Sequence, residues 1–285
     1  MSPFELLEPR TLREAAGLLA SAEPSVRPIA GGTAVMLMMK MGVLRPSRLV
    51  SLRAVEKRFS TIEASADGGL TIGALATLAS LEKSPVVRSR APVITRALKT
   101  LANVRVRNVA TVGGNLAHAD PHMDLPPLLI ALGASVSVVN PSGERALPLG
   151  ELYVGYLETT LRHGELLAQL NIPALGTQRA AYLKCTTRSV DDWPALGVAV
   201  ALDADGTVIR DARIVIGAAT DTPARLANTE KSLRGARADD AALRRAGDAA
   251  AAEAAVISDQ HGTAAYKREL VRVYVARAVR AALAA

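Results

Sequence analysis

The sequence predicts an α+β fold, and three observations predict it. Helical and strand-like segments are interleaved without the regular strand–helix alternation of a doubly wound parallel sheet. The 285 residues are 49% hydrophobic, enough for one large domain or two to three smaller ones and too apolar for a disordered chain. No fixed-period repeat and no low-complexity linker breaks the pattern.

Positions 11–21 read as a helix, because Leu12, Ala15, Ala16, Leu18 and Leu19 recur at helical spacing behind a Thr11 cap. A short strand at 27–30 runs into Gly31-Gly32-Thr33, a Met- and Leu-rich helix follows at 34–41, and a strand at 49–52 closes this first unit. A second unit starts near residue 60. Positions 70–74 alternate as a strand, and 75–82 and 91–101 read as helices. Thr111-Val112-Gly113-Gly114-Asn115 reads as a glycine-bearing loop. The acidic, proline-marked stretch 118–127 leads into an apolar helix at 128–132. A strand at 135–139 ends in the turn Asn140-Pro141-Ser142-Gly143, and another at 165–172 is stopped by Pro173. Past a boundary at 173–176, 181–185 and 196–202 read as strands. The hairpin turn Asp203-Ala204-Asp205-Gly206 returns the chain through 208–218. Positions 239–285 are helical and end in a long helix at 264–283.

Composition removes several function classes. The net charge of +7 is scattered, with no aromatics interleaved for base stacking, so a solvated surface or an acidic protein partner is favoured over nucleic acid. The single cysteine, Cys185, closes no intrachain disulfide and cannot hold an iron–sulfur cluster or a Cys-rich zinc site within the chain. The N-terminus lacks the pattern of a signal peptide, and the apolar stretch 33–44 is too short for a membrane span and contains Lys40. A soluble, cytoplasmic protein without a transmembrane segment is the expectation.

Two diglycine turns carry the chemistry. Ile29-Ala30-Gly31-Gly32-Thr33 and Thr111-Val112-Gly113-Gly114-Asn115 each follow an apolar stretch. Glycine allows positive φ and close approach of a ligand to the backbone, and successive exposed N–H groups form a nest for phosphate oxygens. Two such turns converging on one diphosphate make physical sense, although a lone Gly-Gly is usually just a tight turn. Neither turn is the Gly-x-Gly-x-x-Gly fingerprint or a P-loop, which argues against a Rossmann domain and an ATPase.

His118-Ala119-Asp120-Pro121-His122-Met123-Asp124 has ligand types at alternate positions. A proline-fixed loop in which Asp124 caps the next helix or binds a ligand hydroxyl is the better reading, and no metal is expected. Lys184 on spacing alone is a snorkelling surface lysine. Trp193, the one tryptophan, is a core or interface residue before it is a ligand-stacking one. No nucleophile–base arrangement and no carboxylate pair is readable.

Ala30-Gly31-Gly32-Thr33, the block 107–116 (Arg-Asn-Val-Ala-Thr-Val-Gly-Gly-Asn-Leu), Ala119-Asp120-Pro121 and Asp124-Leu125-Pro126 together resemble the flavoprotein (medium) subunit of the xanthine dehydrogenase and carbon monoxide dehydrogenase family. The resemblance covers nearly the whole chain, and the closing helix with Tyr266-Lys267-Arg268 is similar too. It implies a two-lobed FAD-binding domain of the vanillyl-alcohol-oxidase type (lobes 1–55 and 56–176) and a smaller α/β C-terminal domain at 177–285. Pro28, Ile29, Ala30, Gly31, Gly32, Thr33, Ala34 and Val35 would form the first diphosphate-facing loop. Thr111, Gly113, Gly114 and Asn115 would form the second. Asp124 matches a contact to the ribityl chain, Leu101, His118 and Leu167 fall at further FAD-lining positions, and Lys184 matches a lysine near the isoalloxazine ring. Trp193 falls where relatives place an aromatic close to that ring.

The implied function is electron transfer. A molybdopterin cofactor in a large partner subunit oxidises substrate, two [2Fe–2S] clusters in a small partner subunit relay electrons, and FAD passes them to NAD, a quinone or another acceptor. A dimer of heterotrimers is the implied assembly. Two departures stand out. Thr33 occupies the position where some relatives in the wider superfamily attach FAD to histidine, so a noncovalent flavin is expected, and Ala34 lacks a polar group that some relatives use. A stand-alone FAD oxidase or dehydrogenase of a small molecule is the alternative, disfavoured by the missing acid/base pair. A non-catalytic relative that has lost FAD is disfavoured by the intact glycines.

Overall fold

The computed structural model describes residues 2–285 except Ala22 and Pro24. Its first lobe holds β1 (Glu5–Leu7), α1 (Leu12–Ala20), β2 (Val26–Ile29), α2 (Thr33–Lys40) and β3 (Arg48–Ser51). The three strands are parallel in the order β1-β3-β2. Thr11 caps α1 by accepting the Glu14 N–H at 3.0 Å, and Leu12, Ala15, Ala16 and Leu19, spaced along one helical face, are buried.

The second lobe contains β4 (Ile62–Ala64), β5 (Leu70–Gly73), α3 (Leu78–Lys83), α4 (Pro85–Arg90), α5 (Pro92–Leu98), α6 (Val104–Val109), α7 (Val112–His118), α8 (Leu125–Ala131), β6 (Ser135–Asn140), β7 (Gly143–Pro148), a small hairpin β8 (Tyr153–Gly155) with β9 (Glu158–Thr159), and β10 (Leu166–Ile172). Its sheet is antiparallel, in the order β4-β5-β10-β6-β7.

The C-terminal domain has β11 (Arg179–Thr186), β12 (Pro194–Asp205), β13 (Val208–Gly217), β14 (Ala224–Arg225), α9 (Ala227–Leu233), α10 (Asp240–Glu253) and α11 (Ala264–Leu283). The four strands form an antiparallel sheet in sequence order. Each of the three units has its own apolar cluster, and the second reaches the third where α8 packs on β12 and β13.

The structure departs from the expected elements at three places that matter for the site. The stretch 111–115 is not a loop: Thr111 is the N-cap of α7, and the two glycines lie in its first turn. Two glycines of low helix propensity and a helix of only seven residues hide this from a periodicity reading. The helix expected at 75–82 starts only at Leu78, because 74–77 is drawn out to bond with the 110–113 segment. The helix expected at 128–132 starts at Leu125, with Pro126 and Pro127 in the first turn, where their missing N–H groups cost nothing.

Glu230 ties α9 to the C-terminal sheet. Its buried carboxylate accepts the Ile214 N–H at 2.8 Å and binds the Arg225 guanidinium at 2.8 Å. Glu230→Ala orphans a buried amide and is expected to destabilise the chain by about 1–3 kcal/mol. The urea midpoint measures this, and an unchanged midpoint would contradict the anchoring role.

Candidate functional site

The two diglycine turns meet. A Cβ built on Gly31 would lie 2.0 Å from the Val109 carbonyl oxygen and 2.8 Å from the Ala110 Cα, so only glycine lets the first turn press against the approach to the second. A Cβ on Gly114 would lie 4.0 Å from the Ala30 Cβ, across the gap between the turns. The first turn is aimed by β2, whose Pro28 and Ile29 pair with Val50 and Ser51, and the Ile29 carbonyl accepts the Leu52 N–H at 2.9 Å. The second is aimed by the segment leaving β5: Gly113 N–H donates to the Ala74 carbonyl at 2.7 Å, and Val112 N–H to that of Ala76 at 2.9 Å.

The turns contribute differently. Gly32 sits at φ +75° as the N-cap of α2 and offers no side-chain cap. Among the described residues, the N–H groups of Gly31, Gly32, Thr33, Ala34 and Val35 have no protein acceptor, the first main-chain bond of the helix running from Met36 to Gly32. Five consecutive amides at the positive end of a helix, behind a left-handed residue, are a cradle for an anion. In the second turn the amides are already committed: Gly113 N–H to Ala74, and Gly114 N–H to the Thr111 Oγ1 at 3.1 Å. The expected nest of Gly113 and Gly114 amides is therefore corrected. Gly113 is a packing glycine whose Cβ would lie 2.6 Å from that of Ala74, whereas Gly114 presents an exposed bare Cα to the first turn. The buried Asn115 donates to the Met123 sulfur at 3.1 Å, and its Oδ1 has no partner.

The remaining expected residues extend from these turns. His118 lies one helical turn beyond Gly114 on the same face of α7, and burial pushes its imidazole below the ordinary value against the pull of Asp120. Leu167 is buried on β10, beside the Ala168 carbonyl that accepts the Ala74 N–H. Leu101 is buried between α5 and α6, where Arg107 donates to its carbonyl at 3.0 Å and pairs with Glu82 at 2.9 Å.

Asp124 and Lys184 are brought together, with side chains only 6% exposed. The Lys184 ammonium donates to the Asp124 Oδ2 at 3.0 Å and to the Thr100 carbonyl at 2.9 Å, and the Tyr182 hydroxyl donates to the Asp124 Oδ1 at 2.6 Å. Lys184 is therefore no surface lysine, and Asp124 makes no capping bond to α8. Burial pushes the Asp124 carboxyl above the ordinary carboxylate range, against the Lys184 ammonium and the Tyr182 hydroxyl. Burial and the Asp124 charge push the Tyr182 hydroxyl well up. The pair thus enters the site as a neutral unit rather than as a free cation and a free anion. Trp193 is stacked on His122 with ring centroids 5.5 Å apart, and is 42% exposed. The sequence reading missed Tyr182, because a tyrosine in a strand carries no signal of its partner.

This layout agrees with the similarity of the chain to known proteins. Residues 2–175 match the FAD binding domain in molybdopterin dehydrogenase, and residues 181–282 match the CO dehydrogenase flavoprotein C-terminal domain. The chain belongs to this FAD-binding family. It is 33% identical over 98% of its length to the 6-hydroxypseudooxynicotine dehydrogenase complex subunit alpha of Paenarthrobacter nicotinovorans, covering 94% of that protein. It is 31% identical to the carbon monoxide dehydrogenase medium chain of Afipia carboxidovorans, over 99% of this chain and 97% of the other. A solved carbon monoxide dehydrogenase from Hydrogenophaga pseudoflava superposes with a TM-score of 0.95 at 31% identity, covering 100% of this chain and 99% of the other. FAD is thus the cofactor of residues 2–175, and the cradle of open amides beside the second glycine turn fits its diphosphate. Among the described residues, no helix is long and apolar enough to cross a membrane.

Asp124→Ala strands the Lys184 ammonium in the interior, and the expected loss of stability is about 3–5 kcal/mol. Replacing both partners, as Asp124→Leu with Lys184→Met, is expected to recover most of it. Denaturant unfolding of the single and double variants measures both, and additive losses would remove the ion pair from the account.

Proposed function

We propose that this chain is the flavin-carrying subunit of a multi-subunit molybdenum hydroxylase. It holds FAD noncovalently between the diglycine turns and links the [2Fe–2S] clusters of a small partner subunit to an external acceptor, while a large molybdopterin subunit oxidises the substrate. Support for the assembly comes from the relatives, several of which are medium chains or subunits of dehydrogenase complexes. A dimer of heterotrimers is the arrangement we propose. The observation that carries the cofactor reading is the run of five amides from Gly31 to Val35 with no protein acceptor, set against the bare Cα of Gly114.

Each residue then has a physical task. The amides of 31–35 donate to phosphate oxygens, and the α2 dipole favours the negative charge there. Gly114 keeps the space between the turns free of side chain. The unpartnered Asn115 Oδ1 is an acceptor available to a ligand hydroxyl or amine. Thr33, exposed at the start of α2, has no imidazole with which to form a covalent flavin link. Asp124 follows α7 and Tyr182 and Lys184 lie on β11, and their mutual bonds hold polar groups fixed for the ribityl chain and ring. The bound isoalloxazine supplies redox chemistry that no side chain of the protein has.

The test is a visible spectrum of the full-length chain, alone and with its partner subunits. A yellow chain that reduces dyes only with the partners supports the proposal. Turnover of a small substrate by the chain alone would favour the stand-alone oxidase, and a chain that takes up no added FAD would end the flavin reading. Gly114→Leu places a side chain between the turns and is expected to weaken FAD binding by about ten- to a hundredfold, equivalent to losing one hydrogen bond to a charged group. Stoichiometric flavin at unchanged affinity in that variant would refute the cradle.

A further inference from the structure

The stretch 118–124 carries a second arrangement that FAD binding does not use. His122 is buried, with Nδ1 3.0 Å from the Asp120 Oδ1 and Nε2 2.9 Å from the Asp259 Oδ2. Asp120 and His122 belong to the FAD-binding domain, whereas Asp259 lies between α10 and α11 in the C-terminal domain. An ionised carboxylate only accepts, so a ring facing one on each nitrogen satisfies both only as the doubly protonated imidazolium. Asp259 also takes the Lys267 ammonium at 2.5 Å, and Lys267, which has no exposed surface, donates to the Ala218 carbonyl at 2.7 Å. Ala218 in turn donates its N–H to the Pro121 carbonyl at 2.8 Å. Two anions and two cations alternate across the domain boundary, and the Trp193 indole lies on the His122 ring with an interplanar angle of 6°.

We propose that His122 is a positioning residue: as an imidazolium clamped between Asp120 and Asp259, it latches the C-terminal domain to the loop that presents Asp124 and holds Trp193 in place. The consequence for flavin rests on the function proposed above, but the latch itself does not.

Every charged or titratable group facing His122 acts in a definite direction. Burial works against the imidazolium, and the two carboxylates outweigh it, so His122 titrates above the ordinary 6.5. Burial works against Asp120, and its bonds to His122 bring it below the ordinary value. Asp259, also opposed by burial, is brought down to about 2 by Lys267 and His122. His261, with its centroid 4.9 Å from that of His122, is pushed down by burial and then by the neighbouring cation, so it stays neutral beside it. Asp192 acts on His261 from the β11–β12 loop, and His118 acts on Asp120 from the end of α7. The stabilisation from His122 is therefore complete below pH 6.5 and disappears as the pH rises through its folded value. That from Asp259 is complete above its ordinary 3.8 and is lost as the pH falls toward 2.

Trp193 is the one tryptophan of the chain, so its emission reads the latch directly. In the full-length protein, emission is expected to be quenched by the stacked imidazolium and to rise severalfold with a midpoint above pH 6.5. Asp259→Asn removes one carboxylate, and the midpoint is expected to fall by about one unit or more. His122→Phe keeps a flat ring without a proton, and the transition is expected to vanish, while His118→Gln leaves it in place. A transition that survives in His122→Phe, an unshifted midpoint in Asp259→Asn, or a flat wild-type emission wherever the chain stays folded overturns the proposal. The wild-type titration needs no variant, so misfolding of either mutant leaves the test intact. A chain that titrates in this way but binds no FAD would sink the flavin reading and leave the latch.

Discussion

Contact between the Gly31 backbone and the Val109 carbonyl fixes the rest of the site. The first turn belongs to a parallel sheet and the second to a helix cap above an antiparallel one, so nothing in either unit alone sets their separation. The missing Cβ at Gly31 allows backbone to rest on backbone, which brings the turn carrying the open amides of 31–35 against the segment that enters α7. The asymmetry that follows is chemical. One turn keeps its donors available, and the other uses its own to hold its shape, so the anion-binding capacity is concentrated in the α2 side of the cleft.

The neutral Asp124–Lys184 pair changes what that end of the site can do. A lone buried ammonium would favour negative charge on anything placed beside it, whereas a paired one offers mainly a dipole and a fixed set of donors. Desolvating both partners is costly, and such pairs contribute more to arrangement than to stability. The pair also joins the domains, since Asp124 precedes α8 and Lys184 lies on β11. Geometry around this pair is thus set by the interface between the two domains.

Much of this was legible in the residues. The two diglycine turns stand out because glycine at such positions has a steric cause, and α1 announces itself by cap and period. Other parts were not legible, for identifiable reasons. The helix α7 hides behind two glycines of low helical propensity. The identity of the glycine that packs and the one that faces the cleft depends on Ala74 and Ala30, distant in sequence. Lys184 looks like a surface lysine because its partner is 60 residues away. Lys267 did leave a trace: it begins the stripe Val271, Val275 and Val279 that α11 buries, and a lysine in register with such a stripe needs a buried acceptor.

That acceptor, Asp259, shows why the 120–124 loop is more than a connection. Lys267 fixes Asp259, Asp259 and Asp120 fix the protonation of His122, and His122 sits two residues before Asp124. Along this chain of contacts no charge is left unbalanced, which a buried network requires if it is to hold one geometry. The same alternation makes the network sensitive at one point. Both flanking aspartates are held below the ordinary carboxylate value, so the His122 proton is the member whose loss would place two carboxylates across a single neutral ring. The domain boundary that orders Asp124 therefore depends on one proton, which is why the single tryptophan stacked on that ring is the place to look for it.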